Sequence, residues 1–192
     1  ALGSGLSGGS SGNSVGNQTG GYAAASFDDT GSGAAHLFVG GTFTTAGGVA
    51  ASNIARWNGS SWTSLGSGTN DQVLALVVFD DGTGPALYVG GRFITAGGIS
   101  VNRIARWDGS AWSQVGTSSG SGYGGGFDGD VRALAVFDDG TGPALYAAGA
   151  FTHQGSKAIS HIAKWNGVSW SALGAAANNG VNGDVRSMAS FD

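Results

Sequence analysis

Apolar residues in this 192-residue chain come in short blocks, and the blocks recur. Val73–Phe79 reads VLALVVF, similar runs stand at Val131–Phe137 and Val185–Phe191, and a weaker copy stands at Tyr22–Phe27. Such runs lack alternation, the pattern of a strand covered on both faces. A turn-rich DDGTGP segment follows at Asp80–Pro85 and Asp138–Pro143, which predicts a hairpin. The second strand reads ALYVGG and runs to Phe93; the third ends in IARW; the fourth reads SSWTSL or an equivalent. Between the third and fourth stand Asn58-Gly59, Asp108-Gly109 and Asn166-Gly167. These pairs predict a two-residue type I′ turn, because both positions need positive φ. In that register Trp57 faces Ser60 and Ala55 faces Trp62, leaving the two tryptophans diagonal on one face. Trp107/Trp112 and Trp165/Trp170 repeat the pair as core pillars.

Self-similarity therefore organises the chain. The third-strand tryptophans recur after 50 and 58 residues. Three complete four-stranded units are predicted, at 22–65, 73–115 and 131–173, within one repeat array over 1–192. A stray outer strand is expected at 1–3 and a lone inner strand at 185–192. Unit length varies in the connection from fourth strand to next first strand, which is rich in Gly and Ser. Insertions confined to one loop class mark loops exposed on one face.

Composition narrows the class. Glycine accounts for 39 residues and proline for 2, charged residues are 10%, and all twelve acids are Asp. Absent Glu, scarce Lys and abundant Gly, Ser and Thr argue against a helical bundle. The hydrophobic share of 41% argues against disorder. No apolar run approaches the ~18 residues of a membrane span. A net charge of −4 with scattered basic residues argues against a nucleic-acid surface. The lack of cysteine removes disulfides and thiolate chemistry together.

Four-stranded units of about fifty residues match a β-propeller blade of kelch length. The Gly-Gly pairs closing the second strand (Gly40-Gly41, Gly90-Gly91), the apolar third strand and the fourth-strand tryptophans Trp62, Trp112 and Trp170 follow the kelch order. The fuller pattern resembles repeats in large secreted or surface proteins of planctomycete-type bacteria and in the fungal cortical polarity-marker ectodomain. That resemblance implies an all-β fold: a propeller-type array of four-stranded antiparallel blades, three complete and flanked by partial terminal strands. It implies little about activity. The third unit departs from it, with Ala147-Ala148-Gly149 for Val-Gly-Gly and His153-Gln154 for Thr-Ala. Three units are fewer than a closed propeller needs. The chain is thus expected to belong to a longer repeat protein or to be completed by another chain.

Candidate chemistry is sparse. The face carrying the long loops would gather Thr44, Thr45, Thr95, Tyr123, Phe127, His153 and Gln154, and is the expected ligand-binding face. Asp80, Asp81, Asp138 and Asp139 offer oxygens that suit calcium, yet lack the alternating spacing of a calcium loop; the same residues suit a turn. No other cofactor is expected. Arg56 and Arg106, with Lys164, precede the third-strand tryptophans and are expected to bridge to the Asp pairs. His36, His153 and His161 share no blade position, and no nucleophile elbow or P-loop is present, so an enzyme is not expected. The resulting expectation is an extracellular or cell-surface structural or adhesive scaffold whose partners are copies of itself or further repeats. The alternative is a glycan-binding propeller. Neither nucleic acid nor a membrane span enters either reading.

Overall fold

A computed structural model describes residues 5–8, 20–116, 125–174 and 179–189. The fold is all-β among these residues. Strand β1 is Leu6–Ser7. The first unit holds β2 (Gly20–Phe27), β3 (His36–Thr42), β4 (Thr45–Ala46), β5 (Val49–Ala50), β6 (Ile54–Trp57) and β7 (Trp62–Ser64). The second holds β8 (Val73–Asp80), β9 (Pro85–Gly91), β10 (Thr95–Ala96), β11 (Ile99–Ser100), β12 (Ile104–Trp107) and β13 (Trp112–Gln114). The third holds β14 (Val131–Asp138), β15 (Pro143–Gly149), β16 (His153–Gln154), β17 (Lys157–Ala158), β18 (Ile162–Trp165) and β19 (Trp170–Ala172). The long strands form three antiparallel sheets ordered β2-β3-β6-β7, β8-β9-β12-β13 and β14-β15-β18-β19. These are three blade-like meanders, and their first strands lie side by side. Each also carries a small hairpin between its second and third strands, where the sequence suggested only a loop.

The third-to-fourth turn is longer than its Asn-Gly signal suggests. Trp57 pairs directly with Trp62, Arg56 with Thr63 and Ala55 with Ser64, so residues 58–61 form the loop. The Asn58 side-chain oxygen accepts the backbone N–H groups of Ser60 and Ser61, and only Gly59 has positive φ. This Asx-type turn replaces the type I′ turn, which would need both residues left-handed. The register shifts by two residues, so the tryptophans keep a shared face but stand opposite each other. Their rings lie 5.4, 5.3 and 5.3 Å apart in the three units and are tilted, a favourable aromatic geometry.

Each blade buries one face against the next. Phe27, Phe38, Ile54 and Leu65 of the first blade share a core with Val73, Leu87, Val89 and Trp107 of the second. Phe79, Tyr88, Ile104 and Val115 repeat that contact against Val131, Leu145, Ala147 and Trp165 of the third. The fourth-strand tryptophans clip the edge: Trp112 Nε1 donates to the Leu65 carbonyl at 2.9 Å and Trp170 Nε1 to the Val115 carbonyl at 3.3 Å.

The first strands are only half covered, less than their apolar runs suggested. The expected outer strand at 1–3 lies outside the described residues. An inner strand over 185–192 is not formed in its described part, 185–189; Val185 N–H donates to the Gly149 carbonyl at 3.2 Å, but no described segment pairs with it as a hairpin partner.

A close approach requires glycine at the end of the second strand in the first two units. A Cβ on Gly40 would stand 2.2 Å from Val73 Cγ1, and one on Gly90 2.6 Å from Val131 Cγ1. Glycine is needed there so that the next blade's first strand can seat its valine. Ala148 holds the equivalent place in the third blade, opposite the segment that contains Val185. Gly90→Ala is therefore expected to destabilise the fold by about 1–3 kcal/mol through overpacking. Ala148→Gly should cost no more than about 1 kcal/mol, the usual penalty of glycine in a strand. Urea unfolding of the two variants measures the contrast.

Candidate functional site

The loop face is held by internal bonds. Asn70 Oδ1 accepts the backbone N–H groups of Ile94 and Thr95, both at 2.9 Å. Asp128 does the same for Thr152 and His153 at 2.8 and 2.9 Å. One residue after each blade thus pins the small hairpin of the next. Burial pushes the Asp128 carboxyl up, but the His153 and Thr152 hydrogen bonds outweigh it and hold it below its ordinary value.

Most of the expected ligand-binding residues serve this stapling. Thr45 pairs with Ser7, and Thr44 donates its hydroxyl to the Ser7 carbonyl. Thr95 is a hairpin strand residue held by Asn70. Phe127 and Gln154 are corrected to core residues. Phe127 is fully buried, stacked on Phe151 at 4.1 Å and edge-on to Trp170. Gln154 is buried with its amide donating to the Gly125 carbonyl. Gly/Ser-rich surroundings disguised them, because an aromatic anchor in a long loop looks the same in sequence as a binding aromatic. His153 remains exposed beside Asp128. Tyr123 lies outside the described residues.

The Asp pairs act as turns and blade latches. Asp80 Oδ1 accepts the Gly82 and Gly84 N–H groups at 2.9 and 3.0 Å, and Asp138 repeats this with Gly140 and Gly142. Their oxygens close the turn, as the non-calcium reading of DDGTG requires. Among the described residues no three His, Asp or similar ligands converge on a metal position.

The second Asp of each pair reaches out of the turn, and its partners differ by blade. Asp81 accepts the Tyr88 hydroxyl at 2.7 Å and, across the blade boundary, Trp165 Nε1 at 3.4 Å. Burial raises its carboxyl pKa, but bonds from Thr83, Tyr88 and Trp165 bring it below the ordinary value. Burial and Asp81 together push the Tyr88 phenol well above its usual range, so it remains the donor. Asp139 accepts Lys164 Nζ at 2.6 Å and the Tyr146 hydroxyl at 3.0 Å. Lys164 leads the causes that hold the Asp139 carboxyl far below the usual carboxylate range.

In the first blade the tyrosine is replaced by Phe38, so Asp29 loses that donor. His36, in place of Ala86 and Ala144, supplies it through Nδ1, and Arg56 adds an ion pair at 2.6 Å. The paired exchange of Ala-Leu-Tyr for His-Leu-Phe carried this signal in the sequence. With Asp29 so occupied, the Trp107 Nε1 that parallels Trp165 is buried without a partner. The expected basic bridge to the Asp pairs forms for Arg56 and Lys164. Arg106 instead donates to the Thr83 hydroxyl and the Gly84 carbonyl, at 3.1 and 3.2 Å.

An apolar cleft lies on the outer face of the third blade. It spans about 630 Å³ and is lined by Ala135, Phe137, Tyr146, Ile162, Leu173 and Met188, among others. Position for position, Phe137, Tyr146, Ile162 and Leu173 are the counterparts of Phe79, Tyr88, Ile104 and Val115, which the next blade covers. Phe137 is 47% exposed where Phe79 is 9%. Asp139 also lines the cleft and, among the described residues, has no tryptophan from a further blade as a partner. At the opposite end of the array, Leu37 is 36% exposed where Leu87 and Leu145 are fully buried. The two end faces are thus the two halves of the contact that the chain makes twice internally. Sequence reading missed the face because each unit looks complete by itself.

No family model, curated protein or solved structure matches the chain.

A carboxyl whose pKa is lower in the folded than in the unfolded chain stabilises the fold above the unfolded value. That contribution is lost as pH falls through the folded value. Asp28, Asp81, Asp108, Asp128 and Asp139 all shift downward from 3.8. Stability should therefore be level from neutrality to about pH 4 and fall below it. Asp81→Asn should flatten part of that fall. Urea midpoints at pH 7, 4, 3 and 2 check both statements; a maximum at pH 3 would contradict them.

Proposed function

We propose that the protein is a structural repeat scaffold, of the extracellular or cell-surface kind, that extends by stacking blade on blade. The observation that carries this reading is the uncovered outer face of the third blade. It presents Phe137, Tyr146, Ile162 and Leu173 where the second blade presents Phe79, Tyr88, Ile104 and Val115 to the third, and its complement stands on the first blade. The proposed occupant is the first blade of a second copy, presenting Leu37, Val39 and Trp57 where Leu145, Ala147 and Trp165 sit on the second blade. Continuity with two interfaces already built into the chain supports that choice. A heterologous, head-to-tail contact of this kind produces rings or open filaments. The repeated four-stranded sheets supply the modular units such a scaffold needs.

Light scattering across a dilution series tests the proposal. The expected result is association that grows with concentration and is abolished by Phe137→Asp, with the circular dichroism of the blades preserved. Phe137 is half exposed, so the substitution spares the internal cores. A monomer at every concentration would overturn self-assembly through this face, as would association unaffected by Phe137→Asp.

A further inference from the structure

The first strand of every blade carries the same bulge. The register slips between Gly21 and Ala23, between Val73 and Ala75, and between Val131 and Ala133. The residues skipped are Tyr22, Leu74 and Arg132. A bulge breaks the in–out alternation of a strand and re-aims one side chain. All three re-aimed residues line one cavity of about 500 Å³, together with Arg92, Asp184 and Arg186. Arg186 holds the equivalent place in the DVR stretch at 184–186, which repeats the Asp130–Arg132 stretch.

Around the bulge the first strands vary only among apolar and small residues, with alanine following the bulge at 23, 75 and 133 and phenylalanine at 27, 79 and 137. The bulge position alone runs through tyrosine, leucine and arginine. Constant strands with one chemically variable residue, all aimed at one opening, are what a site on a repeated scaffold requires.

The cavity's charge stands against that of the chain. Asp130 Oδ2 takes Arg92 Nε at 3.1 Å and lies 3.5 Å from Arg132, while Asp184 takes Arg132 Nη1 at 2.7 Å. His161 Nδ1 lies 3.7 Å from Asp184. Three guanidinium groups thus meet two carboxylates in a protein of net charge −4. Arg186 is exposed and has no hydrogen bond or ion pair among the described residues, and Arg92 commits only its Nε. Both line the same cavity, and their unused N–H groups are donors of the kind that holds a carboxylate. Tyr22, 49% exposed, and Leu74 supply an apolar wall in the same cavity. Its size and its mix of an apolar wall with a few polar groups suit a small organic ligand.

We infer that this cavity binds an acidic sugar, its carboxylate held by Arg186 and Arg92 and its ring laid against Tyr22. This places ligand binding at the convergent first strands instead of the loop face, and it does not depend on whether copies assemble.

Titration calorimetry with glucuronate, against glucose and inorganic phosphate, tests the site. Glucuronate is expected to bind at least tenfold more tightly than either control and to weaken as salt is raised. Arg186→Ala should weaken glucuronate at least tenfold, and Arg186→Lys should restore part of the loss. Arg186 is exposed and has no ion pair among the described residues, so circular dichroism should be unchanged. Tyr22→Ala, with the arginines intact, should weaken glucuronate but leave phosphate unaffected. Glucose binding as well as glucuronate, or undiminished binding by Arg186→Ala, would overturn the carboxylate assignment. Phosphate binding as tightly as glucuronate would overturn the sugar.

Discussion

Every feature of this fold depends on one constraint: a four-stranded blade has two apolar faces, and each needs another blade. The same side chain shows the consequence in different copies. Phe79 is covered because the third blade exists, and Phe137 is half exposed because no described blade lies beyond it. Fully burying a side chain of this size contributes about 1.5–3 kcal/mol, so an uncovered face forgoes several such contributions at once. In a quasi-one-dimensional array, stability is a sum of repeat terms and interface terms, and the end repeats carry the deficit. The close packing is specific as well as apolar. Gly40 and Gly90 leave room for a valine of the following strand.

Polar groups at the blade edges adjust to the same constraint. The second Asp of each turn between first and second strands sits between its own turn and its own sheet, and Asp81 also reaches the next blade through Trp165. Its charge is satisfied in every copy, but by different donors: His36 and Arg56 for Asp29, Tyr88 and Trp165 for Asp81, Tyr146 and Lys164 for Asp139. A partly buried carboxylate left unpaired is costly, so loss of the tyrosine at Phe38 is matched by a histidine two residues earlier. The matching is imperfect. Occupying Asp29 in this way leaves the Trp107 indole N–H without a partner. Specific charge pairs here fix how blades meet more than they add stability.

Blade order, unit boundaries and the tryptophan pillars were legible in the sequence because they rest on local patterns: apolar runs, DDGTGP turns and a fixed tryptophan spacing. The Asn-Gly turn misled by two residues, because the Asn58 side chain caps a longer loop that the dipeptide alone does not reveal. Phe127 and Gln154 misled in the other direction. Their neighbours are loop-like, and only tertiary packing shows that they anchor the connection into the core. The exposed outer face of the third blade was invisible for a different reason: exposure is a property of neighbours, and a repeat copied faithfully gives no hint of which copy lacks a described one.

The bulge position shows what repetition hides and what it exposes. Selection for packing keeps the repeats alike, so a residue that differs between copies is ordinarily read as unconstrained surface. That reading suits the outer loops, where each copy's side chain meets solvent separately. It does not suit Tyr22, Leu74 and Arg132, because a bulge at one register position turns all three into a single opening. Residues that converge there see one another, and identical copies would place like against like: three arginines with no wall, or three leucines with no charge. Divergence at a convergent position is how a symmetric scaffold builds an asymmetric site. The chemistry of such a protein is therefore to be sought where its repeats disagree and its strands bend.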